Sequence, residues 1–344
     1  NLSIVTGRPP EVHGICGNFY YDTENDAEVM MNDPELLRTP TIFKAFQDAG
    51  YGVAVITAKD KLRRLLGNGL KMEAGKACGF SSEMSDKCTL AEHGIEGVND
   101  LTAMPVPDVY SAELSELVFA AGVKIMERDR PELMYLSTTD YIQHKHAPGT
   151  PVANDFYIMM DGYLGQLDAM GCTIMITADH GMNAKHKADG TPNVTFLQDV
   201  LDSWYGVNST RVICPITDPY LVHHGALGSY VTVYLPDGMD RSDVLNQIKS
   251  LDEIEAALTR EEACARFELP ADRLGDLVIV SSKNRVLGTT AERHDLSQLK
   301  EPLRSHGGIS EQNVPLMSNK TCDLPADAAL RNFDAFFVGL NHVN

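Results

Sequence analysis

The sequence lacks any long hydrophobic run. None approaches the ~20 apolar residues that a membrane span requires, and the longest runs, such as 277–280, have the length of a buried strand. Basic residues are also few, because 29 Lys and Arg against 48 Asp and Glu give a formal net charge of −19. Nucleic-acid binding and adsorption to an anionic membrane both need basic surface, so neither is expected. A small anionic substrate remains compatible, because a local site can oppose the overall charge.

The seven cysteines include no Cys-x-x-Cys pair, and their number is odd. This pattern favours a reducing, cytoplasmic location over a disulfide framework. The chain has no initiator Met and begins directly with a dense motif at Asn1. We therefore expect a fragment whose first strand is missing, so the lack of a signal peptide carries no weight.

The first half of the chain alternates between helical and apolar strand patterns. Strands are predicted at 51–57, 132–137 and 172–178, preceded by helices at 41–49, 112–128 and about 153–170. The strands are apolar throughout, as expected when helices cover both faces of a sheet. The pattern predicts an α/β fold.

The later part of the chain has a different character, typical of α+β structure. Strands are predicted at 228–235 and 277–281, and helices at about 243–251, 260–267 and 326–340. In the first half of the chain, an exposed excursion is predicted at 67–100. We interpret 215–299 as a smaller lid or cap domain. The catalytic core then comprises 1–214 and 300–344.

Polar clusters directly follow the three predicted strands of the first half. They are Lys59-Asp60-Lys61, Asp140 with His144, and Asp179-His180-Gly181. Ligands of open α/β sheets bind outside the carboxyl ends of the strands, so the three clusters are predicted to converge on one crevice.

Two of these clusters, and a late histidine, have the donor types of a metal site. Asp and His together suit Zn²⁺, and His306 is followed by two glycines that permit close approach. Asp-x-x-x-His or Asp-His-Gly alone more often marks a structural pair, but both at strand ends in one chain indicate a metal site. His146, His223 and His224 could also line the site, but we interpret them as ordinary hydrogen-bonded histidines.

These motifs together resemble the alkaline phosphatase superfamily. The opening segment, 2–18, is similar to its nucleotide pyrophosphatase/phosphodiesterase branch, and the resemblance extends over essentially the whole chain. Within that branch, segments 222–234 and 258–272 resemble enzymes that hydrolyse the carbon–phosphorus bond of phosphonoacetate. The resemblance implies a three-layer sandwich with a mostly parallel sheet, and a smaller α+β lid insertion.

The resemblance implies two Zn²⁺ ions. One would be held by Asp140, His144 and His306. The other would be held by Asp179, His180, a further Asp and the nucleophilic Thr. The last two residues are absent from this sequence and are expected upstream of it.

The resemblance also assigns the substrate contacts. Asn18 matches the residue that holds a phosphoryl oxygen, and Lys59 and Lys61 match positions that meet the carboxylate and the phosphonate. On sequence alone, a Lys-Asp-Lys run is more often a solvated loop, and Asn is more often a turn residue. Ser3 and Thr6 are the nearest hydroxyls, but in the family pattern they follow the nucleophile.

The implied reaction is zinc-dependent hydrolysis of phosphonoacetate to acetate and phosphate through a phospho-threonine intermediate. The predicted partner is a small anionic phosphonate, and a homodimer is a possible assembly. Two alternatives stay open: a phosphodiesterase or nucleotide pyrophosphatase with the same metal core, and a non-catalytic metal-binding fragment. A diesterase needs an apolar slot for a nucleoside or aryl group, whereas the single Trp204 and the two lysines favour a small anion. Mn²⁺ or Fe²⁺ could occupy similar ligands.

Overall fold

The computed structural model describes residues 1–215, 226–325 and 327–344. These residues form two compact units. Unit 1 comprises Asn1–Arg8, Asn32–Thr177 and Pro315–Asn344, and unit 2 comprises Pro9–Met31 and Ala178–Val314. The division into a catalytic core and a lid at 215–299 stays a prediction.

Both units contain helices and short strands. The α-helices are α1 Leu2–Thr6, α2 Pro10–His13, α3 Ile42–Asp48, α4 Asp60–Leu66, α5 Leu90–His93, α6 Val98–Thr102, α7 Glu113–Arg128, α8 Tyr141–Lys145, α9 Pro151–Ala169, α10 Leu197–Tyr205, α11 Arg241–Lys249, α12 Arg260–Phe267 and α13 Ala335–Asn341. The strands are β1 Phe19–Asp22, β2 Ala27–Met30, β3 Val53–Thr57, β4 Ala77–Ser81, β5 Leu133–Ser137, β6 Met175–Thr177, β7 Asn183–Ala184, β8 Val194–Phe196, β9 Arg211–Ile213, β10 Tyr230–Tyr234, β11 Ile254–Thr259, β12 Leu277–Ser281, β13 Val286–Gly288, β14 Arg304–Ser305 and β15 Leu316–Ser318. Short 3₁₀ helices lie at Pro34–Leu36, Ser82–Lys87, Ala271–Arg273, Ala291–Arg293, Leu296–Gln298, Ile309–Glu311 and Asn332–Asp334. None of the described helices is both long enough and apolar enough to cross a membrane.

The centre of unit 1 is a sheet of three parallel strands in the order β4-β3-β5. In the middle strand, Val53 lies opposite Ala77 on one side and Leu133 on the other. All five residues of this strand are buried, as expected for a strand with both faces covered. Apolar residues of α7 pack in the same core. The α/β prediction, with strands at 51–57 and 132–137, is confirmed.

The prediction of an exposed excursion at 67–100 is wrong. This segment contains β4, whose five residues are all buried and which pairs in parallel with β3. Its small residues lack the β-branched pattern of a strand, and Gly79 leaves room for Met72, since a Cβ there would lie 2.9 Å from the Met72 methyl carbon. Runs of four exposed residues lie on either side of the strand, at 73–76 and 89–92.

The three predicted helices of unit 1 are confirmed as α3, α7 and α9, each within about two residues of its expected ends. The Thr41 hydroxyl accepts a hydrogen bond from the Lys44 amide and so begins α3, and Pro151 occupies the first turn of α9. Both are common ways to begin a helix.

Two predicted elements are shorter than expected. The strand predicted at 172–178 is limited to β6, which pairs antiparallel with β15. The side chain of Asn319 bonds the backbone at Cys172 and Ile174 and replaces a strand partner there. The helix predicted at 326–340 begins only at α13. Residue 326 lies outside the described residues, and 327–331 are exposed, so no buried apolar face stabilises a helix over them.

Unit 2 contains an antiparallel four-stranded sheet in the order β11-β12-β10-β9. The predicted strands at 228–235 and 277–281 are confirmed as β10 and β12, and the predicted helices at 243–251 and 260–267 as α11 and α12. Buried Val231, Val233 and Ile279 belong to its main core. Two smaller pairs, β8 with β13 and β7 with β14, complete the unit's described strands beside the β1–β2 hairpin.

The burial of β4 predicts a large effect of truncating its aromatic side chain. Phe80 is 0% exposed, so Phe80→Ala is expected to lower the free energy of unfolding by about 3–5 kcal/mol. Lys71→Ala, at an exposed position of the same segment, is the control and is expected to change it by less than about 0.5 kcal/mol. Urea unfolding measures both, and equal small effects would contradict a buried strand at Ala77–Ser81.

Candidate active site

Two of the predicted polar clusters leave the unit 1 sheet at the same edge. Thr57 and Ser137 are paired at the carboxyl ends of β3 and β5, and the Ala58 amide donates to the Ser137 carbonyl at 2.9 Å. The chain therefore passes from neighbouring strands into Lys59 and Asp140 at one edge, as predicted. The third cluster begins unit 2 after β6, and its convergence with the other two stays a prediction.

Asp140 and His144 lie one helical turn apart. Asp140 directly precedes the first residue of α8, and His144 lies within that helix. The Asp140 Oδ2 and His144 Nε2 atoms are 3.1 Å apart. The His144 side chain is buried and that of Asp140 is 38% exposed. The i, i+4 spacing thus directs a carboxylate oxygen and an imidazole nitrogen to one point.

The second Asp–His pair and His306 lie together within unit 2. The Asp179 Oδ1 and His180 Nε2 atoms are 3.7 Å apart. The His180 ring stacks on the His306 ring, with centroids 3.6 Å apart and planes 9° from parallel. His180 Nδ1 lies 2.9 Å from the Gly181 carbonyl oxygen. A proton on Nδ1 would bond that carbonyl and leave the Nε2 lone pair for a metal, as in many metal-binding histidines.

Lys59 and Lys61 flank a carboxylate that is already paired. Asp60 accepts hydrogen bonds from the Nε atoms of Arg63 and Arg64, at 2.6 and 3.0 Å. Burial raises the pKa of Asp60, but the hydrogen bonds and charges of these arginines outweigh it and hold the pKa below its usual value. Asp60 therefore anchors the start of α4 between the two lysines. The Lys59 ammonium lies 6.0 Å from the centroid of the Tyr110 ring, where a weak cation–π attraction operates.

Asn18 lies in unit 2, directly before β1. Its amide donates to the Pro215 carbonyl, and its own carbonyl accepts from the Met31 amide at 2.7 Å. Gly17 beside it touches Pro215 so closely that a Cβ would meet the proline carbonyl oxygen at 2.5 Å. The position of Asn18 is thus set by the backbone. His223 and His224 lie outside the described residues.

The donor chemistry fits a divalent transition metal. Among the described residues, Asp140, His144 and His306 are candidate metal ligands. Carboxylate oxygens and imidazole nitrogens are typical ligands of Zn²⁺. Both Asp–His pairs therefore remain consistent with the predicted ligand residues.

A parallel sheet with Asp and His side chains after its strand ends, together with candidate metal ligands, defines a hydrolase of the alkaline-phosphatase-like α/β class. The type I phosphodiesterase/nucleotide pyrophosphatase family matches residues 1–309, and the chain belongs to this family. The resemblance predicted from the sequence is confirmed.

The chain is similar to the phosphonoacetate hydrolase of Sinorhizobium meliloti 1021, solved in complex with phosphonoformate and with phosphonoacetate. In both comparisons the identity is 61%, the match covers 98% of this chain and 82% of that chain, and the TM-score is 0.95. Murine ectonucleotide pyrophosphatase/phosphodiesterase 5 is 15% identical over 97% of this chain and 80% of its own, with a TM-score of 0.62. That second likeness shows the fold alone.

The ion pairs of Asp60 predict a pH-dependent contribution to stability. Asp60→Asn is expected to lower the free energy of unfolding by about 1–3 kcal/mol at pH 7, because two arginines lose a charged acceptor. The native pKa is depressed, so this contribution is present above the ordinary Asp pKa of about 4 and is lost as the pH falls through the native value. Urea unfolding at pH 7 and pH 3 measures it, with the exposed Asp86→Asn as control. A pH-independent difference between variant and parent would contradict this account.

Proposed function

We propose that this chain belongs to a zinc-dependent phosphonoacetate hydrolase, which converts phosphonoacetate and water to acetate and phosphate. The observation that carries the proposal is the 61% identity, over 98% of the chain, to a phosphonoacetate hydrolase solved with phosphonoacetate bound. The candidate metal ligands among the described residues support it further. An acidic chain with net charge −19 needs such local positive charge to bind a multiply charged anion.

The proposal assigns the metal ligands as follows. Asp140, His144 and His306 hold one Zn²⁺, and Asp179 and His180 contribute to a second. When bound, the ions would supply Lewis acidity, which lowers the pKa of a coordinated hydroxyl or water and offsets charge on phosphoryl oxygens. The 3.1 Å approach of the donor atoms of Asp140 and His144, and the Nδ1 contact that orients His180, support these roles.

The substrate contacts are assigned to three further residues. The Asn18 side-chain amide donates a hydrogen bond to a phosphonate oxygen. Lys59 and Lys61 place their ammonium groups against the carboxylate and the phosphonate. Their positions on either side of the anchored Asp60 support this role, because the arginines that Asp60 binds fix the backbone between the two lysines.

The chemistry divides into two displacements at phosphorus. A hydroxyl nucleophile, a threonine in the family that this chain resembles, attacks phosphorus and loses its proton, and the carbon–phosphorus bond breaks. The electron pair of that bond passes to the leaving carbon, where the carboxylate delocalises it as an enolate before protonation gives acetate. A lysine facing the carboxylate stabilises the enolate charge. Water then attacks phosphorus of the phospho-threonine, which releases phosphate and restores the hydroxyl.

A second candidate is a phosphodiesterase or nucleotide pyrophosphatase, favoured by the family that matches residues 1–309. Such an enzyme would place a nucleoside or aryl group beside the metals. The two lysines after β3 favour a small dianion over an uncharged group. The two candidates share the metal ligands and differ in the substrate that is turned over.

Phosphate release from phosphonoacetate tests the proposal directly. The protein, supplied with Zn²⁺, is expected to release phosphate from phosphonoacetate and to leave a bis-aryl phosphodiester nearly untouched. Dialysis against a chelator is expected to abolish activity, and added Zn²⁺ to restore it, because the ligands bind the ion reversibly. Colorimetric phosphate assay and absorbance of the released phenol measure the two reactions.

Other outcomes of this assay would replace the proposal. Turnover of the diester alone would identify a phosphodiesterase. Metal binding without turnover of either substrate would identify a non-catalytic metal-binding protein. Full activity in the metal-free protein would contradict the assigned roles of Asp140, His144 and His306.

The lysine assignment predicts a selective loss of activity. Lys59→Met and Lys61→Met are each expected to lower kcat/KM for phosphonoacetate by about 10- to 100-fold, since a hydrogen bond to a charged group contributes about 1.5–3 kcal/mol. Lys71→Met, at an exposed position of unit 1, is the control and should match the parent. Zinc content measured in parallel should stay constant. Unchanged kinetics in both variants would assign the Lys-Asp-Lys segment to a solvated loop.

A further inference from the structure

A completely buried ion pair lies in unit 2, outside the set of proposed ligands. Lys185 is 0% exposed and Glu311 is 2% exposed. The Lys185 ammonium donates to the Glu311 carboxylate at 3.1 Å, and to the Ser229 hydroxyl and the Lys283 carbonyl at 2.7 Å each. Two buried charges are costly unless paired and fully hydrogen-bonded. Here all three ammonium protons have acceptors.

Glu311 binds the segment that carries His306. Its Oε2 atom accepts a hydrogen bond from the Gly308 amide at 2.6 Å, two residues beyond His306. A Cβ on residue 308 would lie 2.7 Å from this oxygen, so a side chain there would displace the carboxylate. The Ser229 amide, on the other side, donates to the His306 carbonyl at 2.9 Å. The hydroxyl of Ser229 accepts a hydrogen bond from the Lys185 ammonium.

Glu311 also binds the segment that carries His180. The Glu311 backbone carbonyl accepts from the Gly181 amide at 2.7 Å, directly after His180. The Glu311 Oε1 atom accepts from the side-chain amide of Asn183. A Cβ on residue 181 would lie 3.3 Å from the Glu311 carbonyl oxygen, so this approach is also tight.

One carboxylate thus joins the two segments whose imidazoles stack on each other. The segments also pair through β7 and β14, where Asn183 lies opposite Ser305. Burial raises the pKa of Glu311, but the Asn183 hydrogen bond and the Lys185 charge outweigh it and hold the pKa below its usual value. The carboxylate is therefore an acceptor for every donor around it.

We propose that Glu311, held in place by Lys185, is a positioning residue that sets the distance and orientation of His180 and His306 for metal binding. The inference rests on the proposed function only in taking these two histidines as metal ligands. It does not depend on the substrate. A carboxylate suits this position because donors approach both of its oxygens, from Gly308 on one and from Asn183, Ser310 and Lys185 on the other.

The test replaces the carboxylate by an amide of the same shape. In Glu311→Gln, the amide NH₂ must face donors in either orientation, so one of the two segments loses its hydrogen bond. The zinc dissociation constant of the variant, measured by competition with a chromophoric chelator, is expected to be about 10- to 100-fold higher than that of the parent. The absorption spectrum of the Co²⁺-substituted variant is expected to change, because the geometry of the imidazole ligands changes.

Asp276→Asn is a matched control in the same unit. Asp276 is also a buried carboxylate, 7% exposed, and it accepts hydrogen bonds from the Leu235 amide and from Arg260 and pairs with Arg241. Asp276→Asn is expected to lower the urea midpoint of unfolding, as Glu311→Gln does, without changing zinc affinity or the Co²⁺ spectrum. A second variant, Lys185→Met with Glu311→Leu, removes both buried charges at similar volume and keeps the test open should Glu311→Gln fail to fold. It is expected to show the same weakened zinc binding.

The outcomes separate this inference from the proposed function. Zinc affinity in folded Glu311→Gln, or in the double variant, that equals the parent's would overturn the positioning role. A parent protein that binds zinc but leaves phosphonoacetate intact would overturn the proposed substrate, while weaker binding in the variants would still support the positioning role. A parent that binds no zinc at all would overturn both.

Discussion

Hydrogen bonds between β3 and its two parallel neighbours determine where the polar residues of unit 1 lie. Parallel strands share a direction, so the segments that follow β3 and β5 leave the sheet at one edge. The bond from the Ala58 amide to the Ser137 carbonyl extends this pairing one residue beyond β3. A shift of the β3–β5 register by one residue would displace Lys59 relative to Asp140. It would also move each side chain of the shifted strand to the opposite face of the sheet. Register thus couples the core of the sheet to the chemistry at its edge.

Charge is the second constraint, because the chain is strongly acidic and its proposed substrate is an anion. Several basic groups near the relevant segments are already neutralised internally. Arg63 and Arg64 bind Asp60, and Lys185 binds Glu311. In the proposed site, bound metal ions would supply positive charge beside Lys59 and Lys61. The internal ion pairs offset the negative charge of carboxylates such as Asp60, which would otherwise repel an anionic substrate.

The elements that the sequence predicts well have strong local signals. The β-branched run of β3 and the periodic pattern of α7 are found where expected. β4 escaped prediction because its Ala-Cys-Gly-Phe-Ser sequence has no such signal and gains its stability from its neighbours. The extent of β6 depends on Asn319, which is distant in sequence and binds the backbone before the strand. The start of α13 depends on the exposure of 327–331. A local sequence pattern contains neither kind of information.

The site shows the same division between local and non-local information. Asp140 and His144 are four residues apart, so their meeting follows from helix geometry and could be predicted. The stacking of His180 on His306 joins residues that are far apart in sequence, and only family resemblance linked them.

Lys185 and Glu311 have no motif, because each one looks like an ordinary surface charge in the sequence. The two residues form an ion pair because β7 pairs with β14, which places Lys185 next to the segment that binds Glu311. A buried charge pair of this kind is costly to build, and here several donors converge on its carboxylate. The glycines at 181 and 308 supply the close approach that this convergence needs.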